Sequence, residues 1–179
     1  MTKKIAFMFL TIDNLNKNNI WKKFFDKADK DKYSIYVHAK YPKKINKDSI
    51  LHGHVIKELK PTQHGFLTEA MLSLFKAALK DKNNKYFALV SNSCIPIKSF
   101  NYIYNDIFNV QKKSIVGIMD IGITDYAKYD QRNKLPLELI FKKKYLKKYS
   151  QWSVLKRKDL KKIVKSKYYN FFAQIWGGD

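Results

Sequence analysis

Apolar residues along this chain of 179 residues fall into two alternating patterns. Short, continuous apolar runs are typical of buried β-strands, and longer segments with apolar residues three or four positions apart are typical of helices packed on a sheet. The predicted strands are Lys4–Leu10, Tyr33–His38, Tyr86–Ser91 and Ser114–Met119, with shorter ones at His54–Lys57 and Gln151–Leu155. Strands that alternate with helices in this way predict an α/β domain.

The clearest predicted helix covers Thr68 to Leu79, where apolar residues recur on one face. A second helix is expected to be capped by Asn18 or Asn19 and to run through Ala28. The remaining predicted helices begin at Ser99 or Asn101 and run through Val110, lie near Leu137–Lys147, and cover Lys158–Lys165. Neither a repeat nor a low-complexity linker interrupts the chain.

Polar side chains at strand ends are the candidates for ligand binding, because ligands of open α/β sheets bind beyond the carboxyl ends of the strands. Thr11 follows the first strand, and its hydroxyl can either contact a nucleotide or cap a turn. His38 ends the second strand and suits a structural hydrogen bond as well as a contact to a base or ribose. Glu69 follows Gly65 at the start of the longest helix, where its charge can complement the helix dipole or face a ligand.

The third strand ends in Ser91-Asn92-Ser93. Nucleotide-sugar transferases with one Rossmann-like domain usually carry Asp-x-Asp here, and its carboxylates hold a divalent cation on the diphosphate. The Asp29-Lys30-Asp31 sequence lies between a predicted helix and a strand, and we interpret it as a solvated turn. The four histidines form no recognisable zinc-ligand set. The sequence therefore predicts neither a metal ion nor another cofactor.

The net charge of +21 makes a basic nucleic-acid-binding α/β module an alternative. Only two of the 36 basic residues are arginine, Arg132 and Arg157, which weakens this alternative because base readout relies on arginine. Non-specific affinity for polyanions is expected in either case. A single cysteine, Cys94, excludes an internal disulfide. Neither a signal peptide nor an apolar run long enough to cross a membrane is evident, so the sequence by itself favours a cytosolic setting.

Six segments, in order along the chain, resemble the core-2/I-branching β-1,6-N-acetylglucosaminyltransferases and their plant and viral relatives. They are Lys4–Thr11, Ile20–Phe25, Tyr33–Ala39, Gly65–Ala70, Ala88–Phe100 and Ser150–Arg157. The resemblance implies a GT-A type, Rossmann-like fold for binding a nucleotide sugar, with a mostly parallel central sheet flanked by helices. It also implies an inverting, metal-independent transfer from a UDP-sugar donor to a hydroxyl of a glycan or glycoprotein acceptor, with N-acetylglucosamine as the expected sugar.

The resemblance also assigns roles to individual residues. Thr11, His38 and Glu69 are expected around the donor nucleotide. The Ser91-Asn92-Ser93 turn is expected near the donor sugar and diphosphate. Gln151, Trp152 and Arg157 match a segment on the acceptor side of the cleft, and Lys98, Lys156 and Arg157 are the cations available to the departing diphosphate.

The general base is the point at which the chain departs from the family pattern. In the family an Asp-Glu pair follows this region and its Glu is the base, so Asp179 is expected to be the Asp of that pair, with the Glu one residue beyond it. We therefore predict one glycosyltransferase domain over residues 1–179, incomplete at its carboxyl end, with Asp179 and Arg157 as the catalytic candidates. A catalytically inactive glycan or nucleotide binder stays open as an alternative. Cellular relatives are typically Golgi membrane proteins.

Overall fold

A computed structural model of the protein describes residues 2–120, 147–166 and 168. The strands are β1 (Lys4–Thr11), β2 (Tyr33–Ala39), β3 (Asn84–Ser91), β4 (Ile118–Asp120), β5 (Lys147–Tyr149) and β6 (Val154–Lys156). The α-helices are α1 (Asn18–Asp26), α2 (Thr68–Leu79), α3 (Phe100–Asn105) and α4 (Arg157–Lys165). The first three predicted strands and the predicted helix at Thr68–Leu79 are confirmed, the strands with slightly longer bounds.

The central sheet has the strand order β2-β1-β3-β6. Both β2 and β3 pair with β1 in parallel, whereas β6 runs antiparallel to β3. Parallel strands of one sheet need a crossover connection, and α1 and α2 lie in the two connections that join β1 to β2 and β2 to β3. The predicted sheet, mostly parallel and flanked by helices, is therefore confirmed. Outside it, β4 and β5 form a separate antiparallel pair.

The core lies on both faces of the central strand β1, whose residues after Lys4 are all buried. Ile5, Phe7 and Phe9 face α1 and α3, while Met8 and Leu10 face α2 and α4. A strand covered on both faces needs apolar side chains at consecutive positions rather than at alternate ones. This requirement explains the unbroken apolar run near the start of the chain.

Aromatic rings dominate the α1 face of the sheet. The ring of Phe7 lies 5.2–6.4 Å, centroid to centroid, from the rings of Trp21, Phe24, Phe25 and Phe100. The contacts with the three rings of α1 are edge-to-face, the geometry that the charge distribution of aromatic rings favours. Helix α1 is thus held on the sheet by its aromatic stripe.

Two predicted element boundaries are wrong. The cap of α1 is Lys17, and the side chain of Asn18 instead accepts a hydrogen bond from the backbone N–H of Ile50 at 3.1 Å. Ser99 does cap α3, since its Oγ accepts from the N–H of Tyr102. That helix nevertheless ends at Asn105, where a π-helical turn takes over instead of an α-helix through Val110.

Two shorter elements also differ from prediction. The segment His54–Lys57 contributes an isolated bridge between Val55 and Val37 rather than a strand. The predicted strand at Ser114–Met119 reduces to β4, because Ile115 bridges to Val154 instead. The predicted helix near Leu137–Lys147 lies outside the described residues except for Lys147, which begins β5. In the described part of the chain, no helix is long and apolar enough to span a bilayer.

Candidate functional site

The carboxyl ends of β1 and β3 lie side by side in the middle of the sheet. In the strand order, the strand that follows β1 in the chain, β2, lies on one flank of this pair and β6 lies on the other, and ligands of open α/β sheets commonly bind beyond strand ends at such a point. Thr11 ends β1, and Ser91, at the end of β3, pairs with the residue before it. The predicted ligand-binding residues of these two strands therefore lie at one edge of the sheet. We call this edge the switch point.

Hydrogen bonds hold both ends of the turn that follows β3. The Oγ of Ser91 accepts from the N–H of Ser93 at 3.2 Å, and the backbone N–H of Ser91 donates to the Sγ of Cys94 at 3.3 Å. From the other side, the N–H of Asn16 donates to the carbonyl of Asn92 at 3.0 Å. The indole N–H of Trp21 donates to the carbonyl of Cys94 at 2.9 Å. These four hydrogen bonds hold the conformation of the turn.

Asn16 is a residue of the switch point that the sequence analysis did not single out. Its side-chain amide donates to the Oγ of Ser93 at 3.4 Å and its side-chain oxygen accepts from the amide of Asn92 at 3.3 Å. It therefore links the loop after β1 to the turn after β3. The local sequence around Asn16, five residues after β1, does not indicate a role at this site. Only the pairing of β1 with β3 brings Asn16 to Asn92.

Thr11 and His38 lie on opposite faces of the sheet. In a parallel pair, residues in register point to the same side, and the register pairs His38 with Leu10 and Thr11 with Ala39. Thr11 thus belongs to the α1 face and His38 to the α2 face. The Oγ1 of Thr11 is buried and has no hydrogen-bond partner within the described residues. The hydroxyl of Thr11 therefore has unused hydrogen-bonding capacity at the end of β1.

His38 is fully buried, and its Nε2 accepts a hydrogen bond from the backbone N–H of Lys60 at 2.9 Å. Burial lowers the pKa of its imidazole. Because Nε2 is the acceptor, the neutral ring carries its proton on Nδ1, which is buried and has no partner in the described part of the chain. His38 therefore holds the segment around Lys60 in place. A contact of His38 with a donor nucleotide stays a prediction.

The lowered pKa of His38 predicts a loss of stability in mild acid. In the unfolded chain the imidazole takes up a proton near its ordinary value of 6.5, but in the folded protein only at a lower pH. The unfolded state thus binds more protons below pH 6.5. In that range the free energy of unfolding decreases as the pH is lowered, by at most about 1.4 kcal/mol per pH unit. Urea titrations at several pH values between about pH 7 and pH 5 measure this slope.

The matched variant for this prediction is His38→Gln, whose amide oxygen can accept from Lys60 without titrating. His54, whose pKa is also lowered by burial, is present in both proteins and contributes equally. A flatter pH dependence is expected for the variant. Equal slopes in the two proteins would show that His38 does not cause the loss.

An open cleft of about 290 Å³ lies beside the amino end of α2. Glu69, in the first turn of the helix, forms one wall, and the segment from Pro61 to Phe66 forms the other. A turn closes this segment through the N–H of Phe66, which donates to the carbonyl of Gln63 at 3.0 Å. Gly65 has a φ of +80° in that turn, a conformation that favours glycine. Gly65 and Glu69 are the two residues of this region that the sequence predicts to lie near a ligand.

The antiparallel pairing of β6 brings Gln151 and Trp152 to the carboxyl half of β3. Val154 pairs with Ala88, and the N–H of Leu89 donates to the carbonyl of Ser153 at 3.0 Å. The two predicted acceptor-side residues precede this pairing and so lie further toward the switch point. The side chain of Trp152 is 39% exposed. This position suits a residue that contacts a ligand.

The fold separates Arg157 from the candidates at the switch point. It follows β6 at the opposite, amino edge of the sheet, next to the start of β3. Its guanidinium donates to the carbonyls of Leu79 at 2.6 Å, Asp81 at 2.8 Å and Asn84 at 3.0 Å. These contacts join the end of α2 to the start of β3. In the described structure Arg157 therefore stabilises the contact between α2 and β3 and does not face the switch point.

The remaining candidates are distributed as follows. Lys156 also lies at the amino edge, and its Nζ donates to the carbonyl of Lys112 at 2.8 Å. Lys98, which is exposed, has its Nζ 5.4 Å from the ring centroid of Tyr102. Asp179, the predicted catalytic carboxylate, lies outside the described residues. Among residues 2–120, 147–166 and 168, no group of three His, Cys, Asp or Glu side chains is placed to share a metal ion.

Comparison with known proteins identifies the family. Residues 5–174 match the model of the Core-2/I-Branching enzyme family. The chain is also similar to Glycosyltransferase BC10 of Oryza sativa subsp. japonica, with 27% identity over 167 residues. The match covers 90% of this chain and spans 40% of the rice protein. The four-stranded, mostly parallel sheet with its flanking helices is consistent with a GT-A-like α/β fold. Since the family match extends over nearly the whole chain, this protein belongs to the core-2/I-branching enzyme family.

Proposed function

We propose that this protein takes part in the transfer of a sugar from a UDP-sugar donor to a hydroxyl of a glycan or glycoprotein acceptor. The transfer is inverting and needs no metal ion, and N-acetylglucosamine is the expected sugar. The observation that carries this proposal is the switch point of a core-2/I-branching family member, where the turn Ser91-Asn92-Ser93 offers hydroxyl and amide groups instead of carboxylates.

The chemistry of these groups suits an anionic donor. A diphosphate accepts hydrogen bonds, and the hydroxyls of Thr11 and Ser93 and the amide of Asn92 are donors at one edge of the sheet. Carboxylates at this turn would repel the diphosphate unless a cation lay between them. The absence of carboxylates from residues 91–93 therefore supports donor binding without a bridging metal.

The cleft beside α2 supplies complementary contacts for a nucleoside. The carboxylate of Glu69 can accept hydrogen bonds from ribose hydroxyls, as acidic residues do in other Rossmann-like folds. The ring of Phe66 offers an apolar wall to a base. Because His38 holds Lys60 by a hydrogen bond, it stabilises the segment that leads into the cleft. His38 thus contributes to the site through the backbone.

The reaction is a single in-line displacement. The acceptor oxygen forms a bond to the anomeric carbon while the bond from that carbon to the UDP oxygen breaks, which inverts the configuration. A carboxylate must accept the proton of the hydroxyl, and such base catalysis typically contributes ~10²–10⁴-fold in rate. Asp179 marks the part of the chain in which we expect this base. Positive charge must stabilise the departing UDP, and Lys98 is an exposed candidate.

Calorimetric titration of UDP into the protein, with EDTA present, tests the proposal. We expect saturable binding at one site. Pyrophosphate is the necessary control ligand, because a chain with a net charge of +21 attracts any anion. Equal affinity for UDP and pyrophosphate would show that electrostatic attraction alone explains the binding of UDP. Binding that appears only after a divalent cation is added would contradict the metal-independent site.

Replacing Glu69 with Gln should weaken UDP binding about tenfold or more, since a hydrogen bond to a charged group contributes about 1.5–3 kcal/mol. The same titration measures this effect. Glu58→Gln is the matched control, because Glu58 pairs with Lys60 at 3.1 Å and does not line the cleft. If both variants bind UDP as the unmodified protein does, Glu69 is not part of the donor site.

A further inference from the structure

Helix α4 carries a row of four lysines on one face. Lys158, Lys161, Lys162 and Lys165 are spaced i, i+3, i+4 and i+7, which places them on one side of a helix. All four are exposed. We call this row the lysine ridge. With a rise of about 1.5 Å per residue, it extends roughly 10 Å along the helix axis.

The orientation of the ridge is set by the opposite face of α4. Leu160 is fully buried there, and Val164 packs against the same apolar cluster. Asp159, the only acidic residue of the helix, accepts a hydrogen bond through Oδ2 from the Oγ of Ser114 at 2.7 Å. Arg157, its only arginine, donates to three backbone carbonyls. The ridge therefore presents lysine ammonium groups alone.

This arrangement costs helix stability. Four pairs of ridge lysines are three or four residues apart, and each like-charge pair of this kind destabilises a helix by about 0.2–0.5 kcal/mol. The salt bridges of the described residues do not involve the ridge. A lysine-rich composition accounts for many lysines but not for a helix whose one carboxylate is turned inward. An anionic partner would remove the repulsion.

We propose that the lysine ridge docks the protein on a membrane surface that contains anionic lipids. Basic clusters on amphipathic helices bind such surfaces, and each lysine near the surface contributes about 1 kcal/mol. Lipid headgroups move within the plane of the bilayer, so they can match a straight row of ammonium groups at any spacing. The ridge has neither an aromatic side chain to stack on a base nor an arginine to read one, which favours lipid over nucleic acid. This proposal is independent of sugar transfer.

Co-sedimentation with vesicles tests the proposal. Vesicles of phosphatidylcholine are compared with vesicles that also contain phosphatidylserine, at low and at moderate salt. The full chain should sediment only with the phosphatidylserine vesicles, and less so as salt rises. Changing all four ridge lysines to Gln should lower the partition coefficient about a hundredfold or more at low salt.

The matched control changes four other exposed lysines to Gln, those at positions 40, 43, 44 and 47. It removes the same net charge and should lower the partition coefficient only about threefold, since those lysines act from a different surface. Equal losses in the two variants would overturn the proposal, because net charge alone would then explain binding. Binding of a single-stranded oligonucleotide is measured as well. If the ridge substitutions weaken oligonucleotide binding more than vesicle binding, the proposal is also overturned.

Circular dichroism establishes that the ridge variant folds. Because the substitutions remove like-charge pairs, its thermal stability should be unchanged or higher. The double variant Lys161→Gln/Lys165→Gln gives a second measurement, with an intermediate loss of vesicle binding expected. Unchanged binding in this double variant would contradict the ridge as the docking surface.

Discussion

Replacing Trp21 with alanine is expected to destabilise the protein by about 3–5 kcal/mol, the cost typical of removing a large buried aromatic side chain. Its indole is only 2% exposed. The ring contacts Phe7, Phe9, Phe24 and Phe25 at centroid distances of 4.9–6.1 Å. Alanine would leave a cavity where α1 packs on β1. Urea denaturation followed by circular dichroism measures the loss.

Trp152→Ala is the matched control for this variant, because the same substitution removes a side chain that is 39% exposed. It should change the free energy of unfolding by less than about 1 kcal/mol. An unfolding midpoint for Trp21→Ala equal to that of the control would contradict the role of Trp21 in the core.

The variant Trp21→Phe distinguishes the role of Trp21 in the core from its role at the switch point. Phenylalanine keeps most of the ring contacts but lacks the N–H that donates to the carbonyl of Cys94 at 2.9 Å. The loss of stability should therefore be smaller, about 1–2 kcal/mol. The turn after β3 should become less ordered, and UDP affinity should fall although the protein remains folded. Unchanged UDP affinity would show that this hydrogen bond does not shape the donor site.

The second large effect on the free energy of unfolding is expected from substitution of Arg157. Changing it to alanine should destabilise the protein by about 2–3 kcal/mol, since three hydrogen bonds from a charged donor are lost, although the carbonyl of Asp81 keeps the N–H of Asn84 at 3.3 Å. One of these carbonyls, that of Leu79, belongs to the last turn of α2, where no intrahelical donor is available. The side-chain amide of the buried Asn84 donates to the carbonyl of Ala78 and also links this helix end to β3.

Lysine is the informative replacement at this position. Its single ammonium group cannot reproduce a planar guanidinium that reaches three carbonyls, so Arg157→Lys should recover only part of the lost stability. Lys158→Ala, a change of the exposed neighbour, should be nearly neutral. If Arg157→Ala unfolds at the same urea concentration as Lys158→Ala, the three contacts do not stabilise the fold. A loss of catalysis without loss of stability would instead restore Arg157 as a catalytic candidate.

Local pattern was sufficient for the elements that the core dictates. The unbroken apolar run of β1 and the helical spacing of Thr68–Leu79 predict a strand and a helix, because a buried strand and an amphipathic helix each need apolar side chains at fixed intervals. Weakly patterned segments were harder to assign. Ile115 and Val55 each form an isolated bridge rather than part of a strand, since a neighbouring strand decides whether pairing continues.

The α/β class, the main strands and helices, the family resemblance and the absence of carboxylates from Ser91–Ser93 all follow from local sequence. Which of these residues meet depends on the folded structure. Strand order brought Asn16 to Asn92, the register placed Thr11 and His38 on opposite faces, and the antiparallel direction of β6 carried Arg157 to the edge away from the switch point. Strand order, register and direction are set by contacts between residues distant in the chain, which local periodicity does not encode.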